Sequence, residues 1–253
     1  MTGAAAAVRL FCFSGGGHSR AAADILAEEL NVPVTDITTP AGRAALPPVA
    51  VPTVSVVVFP VYCQRMPQPV RTFLRSLREG SVVPVAVWGC VSHGDVLRQA
   101  QRAARIPTVA AAYIPAGHSY LPTADGMNLP DRSALARLAA AVRTLAQSNP
   151  QSSIRLPRAP RNPLSDLFPG WRSRLSVRLT SRADCDVCGI CTAACPVSAM
   201  HNGSPDSRCI RCLRCVSVCP RHALSFSCSR LLIRYLVRHT KAAGGCVPEA
   251  ELF

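Results

Sequence analysis

Val8-Arg9-Leu10-Phe11-Cys12-Phe13, then Ser14-Gly15-Gly16-Gly17-His18-Ser19, then Arg20-Ala21-Ala22-Ala23-Asp24-Ile25-Leu26-Ala27-Glu28-Glu29-Leu30 reads as a strand, a glycine turn and a helix in direct succession. The first six residues are apolar apart from Arg9 and predict a buried strand. From residue 19 the period becomes helical, with Arg20, Asp24, Glu28 and Glu29 on the wet side through residue 30. Working outward, the same alternation recurs: residues 34–38, 54–60, 82–88 and 108–114 read as strands, and 67–78, 93–104 and 131–147 as helices. Fully apolar strands alternating with helices predict a parallel sheet covered on both faces. Five strands in this order predict an α/β, doubly wound, five-stranded parallel sheet over residues 1–148.

The composition supports a folded chain: 253 residues, 49% hydrophobic and 17% charged, leave room for a core and exclude disorder along most of the length. The longest apolar runs, 54–61 and 82–88, are far short of the ~20 residues of a membrane span and are interrupted by Pro60 and Pro84. The first residues lack a basic leader followed by an apolar core, and Arg9 stands where that core would be, so the expected location is cytoplasmic. Thirteen cysteines in a reducing compartment point to metal or redox chemistry instead of a disulfide framework. Cys12, Cys63 and Cys90 alone precede residue 185, eight cysteines crowd into 185–219, and Cys228 and Cys246 follow. The net charge is +14, with 13 basic against 8 acidic residues in 1–148 and 15 against 6 in 149–253. Such a field suits an acidic protein, nucleic acid or an anionic membrane surface without choosing among them.

Between 149 and 179 the periodicity fails. Pro150, Pro157, Pro160, Pro163 and Pro169 punctuate an arginine-rich stretch that reads as a solvated linker, with room for a short helix after Pro169. Beyond it, over 180–228, the chain repeats itself at an offset of 24: CDVCGICTAACPVSAM (185–200) matches CIRCLRCVSVCPRHAL (209–224). Each copy is C-x2-C-x2-C-x3-C-P. The first three thiolates of such a run share one iron–sulfur cluster, and the fourth ligates the other. One cluster therefore takes Cys185, Cys188, Cys191 and Cys219, and the second takes Cys209, Cys212, Cys215 and Cys195. C-x2-C pairs also bind zinc, but zinc does not require the third cysteine at x2 or the fourth at x3 before proline, twice over.

At the carboxyl ends of the predicted strands, where an open α/β sheet takes its ligand, lie Ser14, Gly15, Gly16, Gly17, His18 and Ser19, then Tyr62 and Cys63, then Trp88, Gly89 and Cys90. The glycines and hydroxyls at a helix start suit a phosphate, and the two aromatics suit a flat ring. Together they describe FMN. The loop has neither GK[ST] nor G-x-G-x-x-G, so it is not a nucleotide P-loop or a dinucleotide fingerprint. A different reading brings His18, Cys63, Cys90 and His93 together as a soft-ligand metal site or a thiol pair. Cys12, alternating with Phe11 and Phe13, reads as core.

The FSGGGHSR element (13–20) is similar to the flavodoxin phosphate loop, and residues 180–228 resemble the bacterial two-cluster ferredoxins with 4Fe-4S clusters. A flavodoxin-like domain followed by two ferredoxin motifs resembles the EFR-type flavodoxin–ferredoxin fusion proteins. PVYCQRMPQPVRTFL (60–74) is similar to that family's second flavin-side loop, and AAAYIPAGHSY (110–120) to its segment ending in His118-Ser119-Tyr120. The resemblance implies a flavodoxin-like domain at 1–148, a linker at 149–179, a small α+β ferredoxin-like two-cluster domain at 180–228, and FMN exchanging electrons with two 4Fe-4S clusters. Gly16 and His18 stand where such loops usually carry threonine and asparagine, and Cys90 where asparagine is common; each lost hydrogen bond costs about 1 kcal/mol. A flavin-free two-cluster carrier with an N-terminal docking module stays open beside the flavin reading, as does a basic nucleic-acid or membrane binder. Residues 229–253 read as a C-terminal helix and tail, the helix carrying Arg230, Arg234 and Arg238 on one stripe. An acidic redox protein is the expected partner. No catalytic residue is read from the sequence.

Overall fold

The computed structural model describes residues 6–46, 53–121, 130–160, 174–242 and 249–253. The first part runs β1 (Ala7–Cys12), α1 (His18–Leu30), β2 (Val34–Asp36), α2 (Pro40–Ala44), β3 (Thr53–Pro60), α3 (Gln68–Ser76), β4 (Ser81–Trp88), α4 (Val96–Ala103), β5 (Ala112–Pro115) and α5 (Arg132–Ser148). Strand order is β2-β1-β3-β4-β5, all parallel. Side chains alternate across the central strands, as the pleat requires. Val54, Val56 and Val58 of β3 join Leu26 of α1 and Leu138 of α5 in one core, while Val57 and Phe59 face Phe73 of α3 and Leu97 of α4 in the other. The sheet is thus a middle layer between two helical ones.

The sheet has six strands among the described residues where the sequence predicts five. The chain's last residues return as β10 (Glu251–Leu252), antiparallel to β5. Without it β5 would be an open edge; Ala111 and Phe253 exchange both backbone hydrogen bonds at 2.9 Å. The end of the chain is therefore part of the sheet and not a tail, while Cys246 with Gly244-Gly245 lies outside the described residues. The helix α2, with Thr39 accepting from the Gly42 N–H, was not read from the sequence. The expected tether also differs. Ile154 donates its N–H to Thr108 and Leu156 is buried in the second core, so the start of the linker packs on the sheet domain because two of its side chains are apolar. Of the short helix expected after Pro169, the described residues hold 174–176, which are helical and run straight into the next strand.

The cysteine-rich part opens with β6 (Val177–Ser181), so the expected linker is overrun at its end as well. It continues with α6 (Ile190–Ala193), β7 (Met200–His201), β8 (Ser204–Pro205), α7 (Arg214–Ser217) and β9 (Leu224–Cys228), and α8 (Arg230–Ala242) follows. β6 and β9 pair antiparallel along their length. Leu179, Ala199, Met200, Leu213 and Leu224 form a third, smaller core with the thiols of Cys191, Cys195 and Cys215 among them. Among the described residues no helix is long and apolar enough to cross a membrane.

Candidate iron–sulfur centre and the strand-end crevice

Each cysteine run is wound so tightly that residues other than glycine take left-handed backbone conformations: Val187 in the first, Arg211 and Leu213 in the second. This winding turns the thiols inward. Cys185, Cys188, Cys191 and Cys219 line one cavity. In the second run Cys215, Cys209 and Cys195 lie near enough to the Cys212 thiol to raise it further, and Cys209, Cys195 and Cys191 do the same to Cys215. The fourth cysteines are treated alike in the two repeats: Cys195 Sγ accepts the Ala199 N–H at 3.2 Å and Cys219 Sγ the Ala223 N–H at 3.3 Å. Burial raises the Cys219 thiol, but the N–H groups of Ala223, Leu224 and Arg221 outweigh it and hold its pKa below the ordinary value. Cys212 and Cys215 are pushed by burial up to about 12, so loading either as a ligand must expel a proton. The donor set, thiols with N–H bonds to sulfur, fits a 4Fe-4S cluster.

The second run is packed on the carboxyl ends of the parallel strands. Tyr120 donates its hydroxyl to Arg211 O at 2.7 Å, Arg43 its Nη2 to Pro196 O at 2.9 Å, and Ile210 packs on the second core. A Cβ added at Gly15 would lie 2.6 Å from Cys212 O, 2.7 Å from Cys212 Cβ and 2.5 Å from Tyr62 Oη. At Gly16 it would meet Ser119 Oγ at 2.8 Å, and at Gly89 the ring of His118 at 2.7 Å. The glycine turn therefore does bring a partner within backbone contact, and that partner is the cluster loop.

The residues expected around a flavin are gathered at these strand ends, but the space between them is taken. Ser14 Oγ accepts the Arg20 N–H and Ser14 N donates to Thr38, so the loop's hydroxyl closes its own helix; Ser19 is buried. Gly17, with φ +99°, has nothing within 4 Å of a would-be Cβ and is followed by His18 at the start of α1. Tyr62 turns its hydroxyl against the Gly15 backbone, and Trp88 is buried with its ring centroid 4.8 Å from that of His93 in a T-shaped arrangement. Cys63 is exposed. The Tyr62 hydroxyl and the Cys212 backbone stand where the glycine loop would cradle a phosphate.

The alternative site at His18, Cys63, Cys90 and His93 is not assembled. Cys90 donates its thiol to Ala116 O at 3.4 Å, and His93 stacks on Tyr113 at 3.7 Å and reaches Glu251 of β10 at 3.3 Å. Among the described residues no three His, Cys, Asp or Glu groups converge on a single ion. Cys12 is core, and burial pushes its thiol up. Sequence reasoning missed Arg43, Asp36 and Arg211 at the junction. No local pattern marks them, because each acts on a residue far away in the chain.

His118, which covers Gly89, is pushed by burial down to about 4 from 6.5, with His18 adding in the same direction, and its Nδ1 accepts the Tyr120 N–H at 3.2 Å. A histidine buried neutral costs stability in acid. The unfolded chain protonates near pH 6.5 while the folded one does not, so stability present above that value is lost as pH falls toward 4. From pH 7 to 5 the loss from this group is about 2 kcal/mol. Urea midpoints by circular dichroism will show it, and His118→Asn will flatten the slope between those pH values.

Compared with known protein families, residues 206–225 match Fer4, the 4Fe-4S binding domain. No curated protein and no solved structure matches the chain. The matched stretch holds the second cysteine run whole, and with it the chain carries an iron–sulfur module of the ferredoxin kind, suited to electron transfer.

Proposed function

We propose that this protein is an electron carrier with two 4Fe-4S clusters, whose parallel-sheet domain serves as the seat of the second cluster loop and not as a flavin site. The observation that carries the reading is the packing of Cys212 onto Gly15, in the place a flavin phosphate would need. Bound clusters supply one-electron exchange. Cys185, Cys188, Cys191 and Cys219 hold one; Cys209, Cys212, Cys215 and Cys195 hold the other. The Ala223 N–H favours the thiolate form of Cys219, the Ala199 N–H bonds Cys195 Sγ, and the sheet domain packs against the Cys212 loop. The charge of +14 favours an acidic redox protein as partner, and thiols kept for clusters favour a reducing, cytoplasmic setting.

A flavin-loaded form is the second reading, favoured by Tyr62 Oη and Trp88 Nε1, both buried at the strand ends without a hydrogen-bond partner. It requires Cys212 to withdraw from Gly15. Iron, sulfide and acid-released flavin measured on anaerobically purified protein separate the two. We expect about eight iron per chain and no flavin, even after incubation with FMN. About one FMN per chain would overturn the flavin-free assignment, and iron near four would overturn the second cluster.

A further inference from the structure

The two cysteine runs repeat one another in their ligands but not in the residues between them. The first reads Cys185-Asp186-Val187-Cys188-Gly189-Ile190-Cys191, the second Cys209-Ile210-Arg211-Cys212-Leu213-Arg214-Cys215. The charges of the first run are exposed and already paired. Asp186 accepts from Arg221 Nε at 2.6 Å and from the Cys188 N–H at 3.3 Å, and Asp184 pairs with Arg182 at 2.6 Å. Val187 and Ile190 beside them are 55% and 43% exposed. Water screens whatever these groups do to a cluster.

The two arginines of the second run each keep a buried nitrogen without a hydrogen-bond partner. Arg211 keeps only 9% of its surface in solvent. Its Nε donates to Val177 O at 3.1 Å, but its Nη1 has no partner. Arg214 Nε is buried without a partner as well, its Nη2 reaching Asp36 at 3.9 Å. Tyr62 Oη, against Gly15 and the Cys212 loop, is a third unpaired donor. Guanidinium does not deprotonate in a protein, and a buried, unpaired cation is strongly destabilising unless an anion faces it. Arg211 stands between Cys209 and Cys212, and the anion that this loop would hold is the cluster. An oxidised four-cysteine cluster carries roughly −2, and one added electron makes it roughly −3.

We infer that the two clusters are inequivalent, with Arg211 as the buried counter-charge that gives the Cys209–Cys212–Cys215–Cys195 cluster the higher reduction potential. A buried cation stabilises the more negative, reduced form; exposed ion pairs at the first run do so far less. A single electron delivered by an external low-potential donor therefore rests on the second cluster, behind the sheet domain. The first cluster, beside exposed Cys188, is the one that meets the donor. The inference rests on the two-cluster reading above.

The test is a dithionite titration of the full-length holoprotein followed by electron paramagnetic resonance, with the two signals assigned through Cys185→Ala and Cys209→Ala. The signal lost in Cys209→Ala should be the first to reduce in the parent. Arg211→Gln should lower that cluster's potential so that its reduced-to-oxidised ratio at the parent midpoint falls about tenfold, about 59 mV for one electron. Arg211→Lys should keep most of the gap. An Arg211→Gln protein with lowered thermal stability and an unchanged gap would make Arg211 structural only and overturn the inference. So would a parent whose first reduction belongs to the Cys185 cluster. Iron near four in the parent would sink the two-cluster reading and this inference together, which the iron count tells apart from a failure of the inference alone. If Arg211→Gln does not fold, Tyr62→Phe removes one donor without a charge, and a shift of the same sign in the second cluster only is expected.

Discussion

Cys195→Ala and Cys209→Ala placed in one chain should lose no more iron than either change alone, while Cys195→Ala with Cys219→Ala should lose nearly all of it. Crosswise ligation makes the first pair partners on one cluster and the second pair members of two. The first double variant then falls from about eight iron to about four, and the second toward none. If each repeat served its own cluster, Cys195 would belong with Cys185, Cys188 and Cys191, and Cys195→Ala with Cys209→Ala would empty both sites. Cys195 lies near enough to raise the Cys212 and Cys215 thiols, as Cys191 does for Cys215, and the cavity lined by Cys185, Cys188 and Cys191 takes Cys219. Iron analysis with the reduced-state resonance signal decides between the two patterns, because non-additivity between residues of one unit is the signature of shared work.

Gly15→Ala should detach the second cluster loop from the sheet. All three nearest atoms to the new Cβ would lie under 3 Å, and two of them belong to Cys212, one its backbone oxygen. Backbone that is also holding a ligand cannot step aside without moving the thiolate. Overpacking of this kind costs about 1–3 kcal/mol, and here the strain falls on the junction. The expected result is a lower urea midpoint for loss of the cluster absorbance, with about half the iron released first. Gly17→Ala is the control. It carries a left-handed strain of about 1 kcal/mol or more, yet nothing lies within 4 Å of its Cβ, so both clusters should stay as firmly held as in the parent. If Gly15→Ala instead left the clusters untouched and abolished FMN binding, the strand-end crevice would be a flavin site after all.

Periodicity made the central sheet legible. Residues 54–60 and 82–88 are apolar at every position but Ser55, as two covered faces demand, and β3 and β4 occupy nearly those bounds. The double cysteine run was legible for a related reason: its ligands are a few residues apart, so spacing alone holds the geometry. The sixth strand was not. Ala250-Glu251-Leu252-Phe253 has no strand period of its own and is ordered by the edge that β5 presents. Nor was the fate of the glycine turn. Ser14–Ser19 asks for a close neighbour but does not say which, since glycines admit a phosphate and a backbone carbonyl equally well.

By itself, then, the sequence determined the elements whose causes are local: the five parallel strands and the longer helices of residues 1–148, and the two cysteine runs. Only the tertiary structure decided what meets across the chain. It set Cys212 against Gly15, Tyr120 against Arg211, Arg43 against Pro196 and the C-terminus against β5. These contacts join residues about 90 to 200 positions apart, and at that separation no pattern of neighbours carries the information. The choice is made by which surfaces can be buried together with their backbone hydrogen bonds satisfied.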